Sequence, residues 1–295
     1  MAWPEDLPKL RLAGPAGEKE LPRPPKADPL IEIDPEDDLL EMTLSGFKVG
    51  SVPYLNAVPL TRGIEDQIQF VVPSRLGDML RAGELDAALL SVTEVLLNDR
   101  YDILDGICIG SLGEVFSVYL AHKTPLEELT LIHCDPASLT SVNLLRVLLG
   151  ERGIRPEFVP LIDYTPELMP DNVLLIGDPA IRFRRTNPEH QIWDLGAAWM
   201  ELTNLPFVYA IWALRRDRDT KELRRILRET RDFGMDTLDD IVRDRAEFDM
   251  AFRKDYLGWH IHYHLGDDEK RGLAKFVELL RKHSGREVFD PRFVS

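Results

Sequence analysis

Ser51, Tyr54 and Asn56 stand close together in the stretch Ser51-Val-Pro-Tyr-Leu-Asn-Ala-Val-Pro-Leu60, and none of the three is charged at neutral pH. Side chains of this kind hold a polar ligand by hydrogen bonds or orient a departing group. Asn56 is neutral and barely basic, so it cannot serve as a general base. It lies between Leu55 and Ala57, where an apolar residue would be less costly to bury unless the amide were used.

Uncharged polar clusters recur along the chain. Ser91 and Thr93 follow the apolar run Asp86-Ala-Ala-Leu-Leu90, Ser111 closes Gly106-Ile-Cys-Ile-Gly110, and Ser117 opens the run to Lys123. Ser138-Leu-Thr140-Ser141 precedes a helical pattern, and Asp178 follows Val173-Leu-Leu-Ile-Gly177. Serine- and threonine-rich turns before helices usually act as N-caps, and Asp178 before Pro179 reads first as a cap too. Their common position at the ends of strands suggests more.

The elements that must position them alternate. Phe47–Val52, Gln69–Pro73, Asp86–Val92, Asp105–Ser111 and Val115–Lys123 read as strands. Between them Asn56–Ile64, Arg75–Glu84 and Thr93–Asp99 read as helices, Pro59 being tolerated in a first turn and Ser74 suiting an N-cap. Further on, Leu129–Asp135 and Val173–Asp178 read as strands, and Thr140–Gly153 as a helix that Gly153 would end. A helix and a long aromatic strand share Gln191–Leu214, and charged helices with Leu and Ile stripes follow. This βαβ order implies an α/β protein with a mainly parallel sheet. Ligands of such sheets bind beyond the carboxyl ends of the strands, where helix N-termini offer unpaired N–H groups. Two such ends, one from each of two lobes, would suit a ligand carrying two carboxylates.

Composition narrows the class. In 295 residues there are 36 Lys and Arg against 51 Asp and Glu, a formal charge of −15. That argues against a nucleic-acid surface and against attachment to anionic lipid. No run approaches a membrane span, and the N-terminus lacks the pattern of a secretory signal, so a cytoplasmic protein is expected. Cys108 and Cys134 have no CxxC spacing and are expected to be reduced and buried. Residues 1–45 hold 8 of the 21 prolines and 11 acidic against 5 basic residues, and read as an extension without a core, Leu30–Ile33 being its one strand-like stretch. His260, His262 and His264 would place two imidazoles on one helical face, yet beside Trp259 and Tyr263 they read better as a packed amphipathic segment than as a metal site.

Five stretches, in order, carry a resemblance to a known family. They are Ser51–Leu60, Gly113–Val118, Ser138–Ser141, Ile176–Ala180, and Asp194–Trp199 running into Thr203–Val208. They resemble chorismate dehydratase of the futalosine route to menaquinone, and cover roughly residues 46–215. Val52-Pro53, between Ser51 and Tyr54, departs from the family pattern. The resemblance implies a two-lobed periplasmic-binding-protein type II-like fold with a ligand cleft between the lobes. Lobe one would comprise 46–120 plus 212–295, and lobe two 121–211.

It further implies loss of water from chorismate, a small dianionic substrate, without a metal or cofactor. Asn56, Ser117 and Asp178 would then be catalytic. Ser51, Tyr54, Ser91, Ser111, Ser138, Thr140, Ser141 and Phe207 would bind substrate. The base would be either the substrate's own enolpyruvyl carboxylate, which the scarcity of ionisable groups in these motifs favours, or a protein carboxylate: Asp178, Glu114 or Glu94, in that order. Alternatives are the sibling enzyme that forms 1,4-dihydroxy-6-naphthoate, which would want a basic side chain in the cleft, and a binding protein without catalysis.

Overall fold

The structure, a computed structural model, describes residues 42–44, 46–137, 139–165, 168–187 and 189–295. The acidic extension before Met42, with its Leu30–Ile33 stretch, lies outside these residues.

The chain enters through β1 (Val49–Ser51), a 3-10 helix (Leu55–Leu60) and β2 (Ile68–Phe70). It continues with α1 (Pro73–Arg81), β3 (Ala87–Ser91), α2 (Val92–Leu96) and the long β4 (Tyr101–Ser111). A short crossover leads to β5 (Val118–His122), β6 (Leu131–Cys134), α3 (Leu139–Glu151), β7 (Glu157–Pro160) and β8 (Asn172–Ile176). Next come α4 (Gly177–Thr186), β9 (Gln191–Asp194) and α5 (Leu195–Thr203), and β10 (Phe207–Arg215) leads back. The chain ends with α6 (Lys221–Asp236), α7 (Leu238–Asp244), α8 (Met250–Asp255), a π-helical turn (Tyr256–His260), β11 (His262–Leu265), α9 (Asp267–His283) and β12 (Phe293–Val294).

Two sheets form the cores of two lobes. The first runs β11-β4-β10-β3-β1-β2, with β12 also paired to β4; the second runs β7-β6-β8-β5-β9. β1 is parallel to β2 and β3, and β6 is parallel to β7 and β8, as the βαβ order requires. Both sheets are nevertheless mixed, not mainly parallel. β10 runs antiparallel to β3 and β4, and β5 antiparallel to β8 and β9. These are the strands by which the chain leaves one sheet and re-enters the other, so they insert against the direction set by the crossover units. Sheet membership changes between Ser111 and Val118 on the way out, and between Asp194 and Phe207 on the way back.

Local chemistry explains the departures from the sequence expectations. α1 begins one residue before Ser74, at Pro73, because proline's fixed φ and missing N–H suit a first helical position. The stretch after Tyr54 forms a tight 3-10 helix that buries Leu55, Ala57, Pro59 and Leu60 and leaves Asn56 half-buried. α6 packs directly on this turn through Gly234, where a Cβ would fall 1.8 Å from the Pro59 carbonyl oxygen. His262 and His264 lie on β11, paired antiparallel with β4, and not on a helix. Among the described residues no cluster of His, Cys, Asp and Glu is arranged to hold a metal ion. Nor is any helix there long and apolar enough to cross a membrane. Cys108 and Cys134 are free and buried.

Candidate functional site

A cleft of about 660 Å³, counting its part open to solvent, lies where the two lobes meet. Tyr54, Asn56, Ser91 and Tyr209 line it from the first lobe; Thr140, Ser141 and Gly177 line it from the second, and Ser117 from the crossover. Val52, Leu89, Ile109, Val115, Val118, Leu139 and Ile176 supply apolar wall. Among the described residues no Asp, Glu, Lys, Arg or His lines this cleft. A mostly apolar wall with a few convergent polar groups is the usual make-up of a small-molecule site.

One end is built from two strand-to-helix junctions that face each other. Ser91 ends β3, Thr140 sits in the first turn of α3, and their hydroxyl oxygens lie 2.5 Å apart across the lobe boundary. The Thr93 N–H also donates to Thr140 Oγ1, at 3.1 Å. The buried Thr93 hydroxyl has no partner of its own. α3 spans thirteen residues and has no acidic side chain in its first turn. The positive end of its dipole thus meets no acidic side chain within that first turn.

At the other end, Ser117 and Asn56 both lie against Tyr256. The Tyr256 hydroxyl donates to Ser117 Oγ at 2.7 Å, and the Asn56 side chain stands beside the Tyr256 oxygen. Asn56 Oδ1 is buried and unpartnered. Burial, aided by the Asp178 and Asp194 carboxylates, pushes the Tyr256 phenol well above its usual range, so it remains a donor.

Asp178, beside the cleft at the start of α4, accepts a hydrogen bond from the Leu55 N–H of the opposite lobe at 3.3 Å. Burial raises its pKa to about 6, against the opposing effects of that hydrogen bond and of Arg182. Gly177 adopts φ +61°, and a Cβ there would lie 3.4 Å from the Tyr54 ring, so the strand end and the ring pack face to face. Burial together with Asp135 and Asp178 keeps the Tyr54 phenol protonated.

The crossover that carries Ser117 is held by one carboxylate. Asp194 accepts from the N–H groups of Val115 and Phe116, and also from Gly196 and Ala197 as the N-cap of α5. Phe116 sits at φ +69°, a left-handed conformation unusual for an aromatic residue, and the Arg184 guanidinium covers its ring 3.9 Å from the centroid.

The sequence profile of a family described as menaquinone biosynthesis matches residues 47–282, spanning both lobes and the cleft. The chain belongs to this family. A protein of Thermus thermophilus named chorismate dehydratase is 32% identical over 259 residues, 79% of this chain and 95% of the relative. Among solved structures, a protein of Archaeoglobus fulgidus superposes with a TM-score of 0.63 at 18% identity, over 80% of this chain and 97% of the other. A periplasmic sulfonate-binding protein of Methylobacillus flagellatus gives 0.51 at 10% identity, over 82% and 88%. The fold of this menaquinone biosynthesis protein is thus that of the periplasmic binding proteins.

Within this member of the menaquinone biosynthesis family the residues singled out from sequence separate into groups. Tyr54, Asn56, Ser91, Ser117, Thr140 and Ser141 line the cleft together. Asp178 stands beside it as a link between lobes. Ser138 lies outside the described residues. Ser51 is fully buried at the end of β1 with an unpartnered hydroxyl, and is not a lining residue. Ser111 is buried behind the wall, donating to the Gly113 carbonyl and lying 3.3 Å from the Tyr209 hydroxyl.

Phe207 packs edge-on against Trp199, Tyr209 and Phe276 in the core and is not a lining residue. Glu114 pairs with Arg184 and Glu94 with Arg81, and neither lines the cleft. Sequence reasoning missed Tyr209 and Tyr256. Tyr209 was within the quoted aromatic strand, but Tyr256 meets Ser117 from 139 residues away and has no local signal.

Proposed function

We propose that this chain is a chorismate dehydratase, a hydro-lyase that removes water from chorismate to give 3-[(1-carboxyvinyl)oxy]benzoate for menaquinone biosynthesis by the futalosine route. The observation that carries the reading is a charge-free cleft, closed by both lobes, whose hydrogen-bonding groups gather at its two ends. Its relative's name supplies the substrate.

The chemistry asks for what these residues can offer. Loss of the ring C3 proton builds negative charge that the ring carboxylate can accept, and aromatisation drives departure of the C4 hydroxyl. A binding protein fold supplies orientation, and lobe closure excludes water. The ring carboxylate is taken to lie at the Ser91–Thr140–Ser141 end, where fixed donors would stabilise the charge as it develops. Asn56 and Ser117 are assigned to the other reacting groups.

The base is assigned to the substrate's enolpyruvyl carboxylate. Two observations support this: among the described residues no Asp, Glu, Lys, Arg or His lines the cleft, and Asp178, the first of the three candidate carboxylates, accepts from the Leu55 N–H. The sibling naphthoate-forming enzyme would call for a basic side chain there. His122, the histidine nearest the crossover in sequence, is instead held by the Thr124 carbonyl at 2.8 Å. A cytoplasmic location belongs to the same proposal.

The test is incubation of the purified chain with chorismate, followed by mass and ultraviolet absorbance. A catalytic product lighter by one water, with a benzoate spectrum, is expected. Chorismate left unchanged by folded protein would sink the assignment.

A further inference from the structure

Tyr256 comes from a part of the chain that none of the five recognised motifs covers. It ends α8 and opens the π-helical turn Tyr256–His260, closed by the Ile261 N–H bonding the Tyr256 carbonyl at 3.1 Å. A π turn inserts one residue into a helix and re-aims the side chains around it, which is why such turns gather at functional sites. Here the turn docks on the crossover between lobes. His260 Nδ1 lies 2.9 Å from the Glu114 carbonyl oxygen, and its ring lies 5.6 Å from that of Phe116. Phe252, one turn earlier, stacks on Tyr256 with ring centroids 5.4 Å apart and touches Phe116 at 5.2 Å. The phenol ring is thereby locked, and its oxygen reaches the two polar residues at one end of the cleft.

Hydrogen-bond accounting at this junction has one outcome. Tyr256 has a single proton to donate, and Ser117 Oγ receives it. Ser117 keeps its own O–H to give elsewhere. Asn56 lines the same cleft, and its Oδ1 is a buried acceptor without a partner. Ser117 and Asn56 thus offer one donor and one acceptor at this end of the cleft. That pair complements a hydroxyl group, which needs an acceptor for its proton and a donor for its oxygen.

We infer that Tyr256 is a positioning residue for the dehydration: it fixes Ser117 as a donor beside the unpartnered Asn56 acceptor, so that the two grip the departing hydroxyl of the substrate. This rests on the proposed dehydratase reading. In the elimination the C4–O bond breaks and the hydroxyl leaves with the proton taken from C3, as water. Ser117 O–H stabilises the oxygen as its charge grows, and Asn56 Oδ1 holds the hydroxyl's own hydrogen. Tyr256 exchanges no proton with substrate.

The test uses the full chain and chorismate. Tyr256→Phe keeps the ring and its stacking and removes only the hydroxyl. Its kcat is expected to fall by about tenfold to a hundredfold with KM changed less than about threefold, since orientation of the reacting group is lost while the carboxylate contacts remain. Ser117→Ala is expected to lose a similar factor, and Tyr256→Phe combined with Ser117→Ala to be no slower than Ser117→Ala alone.

A Tyr256→Phe enzyme as fast as the parent would overturn the inference while leaving the dehydratase reading intact. So would losses that multiply in the double variant, or activity that returns to the parental value when the assay is run well below the variant's melting temperature. A parent chain that leaves chorismate untouched would overturn the dehydratase reading, and this inference with it.

Discussion

Thr140 Oγ1 and Ser91 Oγ lie 2.5 Å apart although they belong to different lobes, and the Thr93 N–H converges on the same threonine oxygen. In the proposed reading the hydroxyls at this end of the cleft serve both substrate binding and lobe closure. Removing one should weaken both. Thr140→Val, nearly the same shape, is expected to raise KM for chorismate by about tenfold, the equivalent of one hydrogen bond to a charged group. Thr140→Ser should keep most of the affinity. Steady-state kinetics on the three proteins decides it, and an unchanged KM in Thr140→Val would separate this end of the cleft from the substrate.

Asp178 makes a second link between lobes, and it titrates. Its pKa stands at about 6 in the folded chain against an ordinary 3.8, so the folded state binds this proton more tightly than the unfolded state. Stability from this group therefore falls as pH rises from about 4 to about 6, and the penalty is constant above that. Its full size is on the order of 2–3 kcal/mol. Asn at this position keeps the acceptor for Leu55 and carries no charge. Asp178→Asn should therefore match the parent near pH 4 and become progressively more stable than it by pH 7, as read by urea unfolding. A stability difference independent of pH would refute the assigned origin.

The same variant bears on catalysis. With the substrate's carboxylate as base, Asp178→Asn keeps kcat within about tenfold of the parent. A protein base at Asp178 would instead make the variant slower by the 10²–10⁴-fold typical of a lost general base. A rate measurement at neutral pH, with chorismate saturating, distinguishes the two.

Asn56→Asp places a carboxylate where no charged side chain lines the wall among the described residues. Repulsion of a dianion and loss of the amide group beside the Tyr256 oxygen act together. kcat/KM is expected to fall by at least about a hundredfold, like charges at close range costing several kcal/mol. Retention of full activity would remove Asn56 from the site.

Asp194 holds four backbone N–H groups, three on Oδ1 and that of Phe116 on Oδ2 at 2.8 Å. In Asp194→Asn one of those oxygens becomes an NH₂, which would face an N–H donor. A loss of about 2–4 kcal/mol in unfolding free energy is expected, from the weakened cap and a buried donor left without an acceptor. Chemical denaturation checks it, and a change under about 0.5 kcal/mol would contradict the role given to this carboxylate.

Much of the site was readable because it is local. Ser91, Thr140 and Asn56 each stand where a strand hands over to a helix, and apolar periodicity marks those junctions. The elements that local pattern does not reveal are those whose partners decide them. β7 and β12 are short strands at the margins of their sheets, and His260 and His264 have the i, i+4 spacing of a helical face although β4 pairs His262–Leu265 as an antiparallel strand. Tyr256 and Phe207 show the same limit. Which aromatic reaches a cleft depends on how distant segments pack, and the hydroxyl that bonds Ser117 comes from 139 residues downstream.

By itself the sequence determined a two-lobed α/β protein, its uncharged polar junctions and its family, because hydrophobic period, turn residues and ordered motifs act over a few residues at a time. Only the tertiary structure decided that Leu55 meets Asp178 over 123 residues of separation and that Ser91 meets Thr140 over 49. It also decided that the Tyr256 hydroxyl donates to Ser117. Those choices belong to the packing of one lobe on the other. A buried polar atom takes whichever partner the fold brings to it, and no local pattern names that partner in advance.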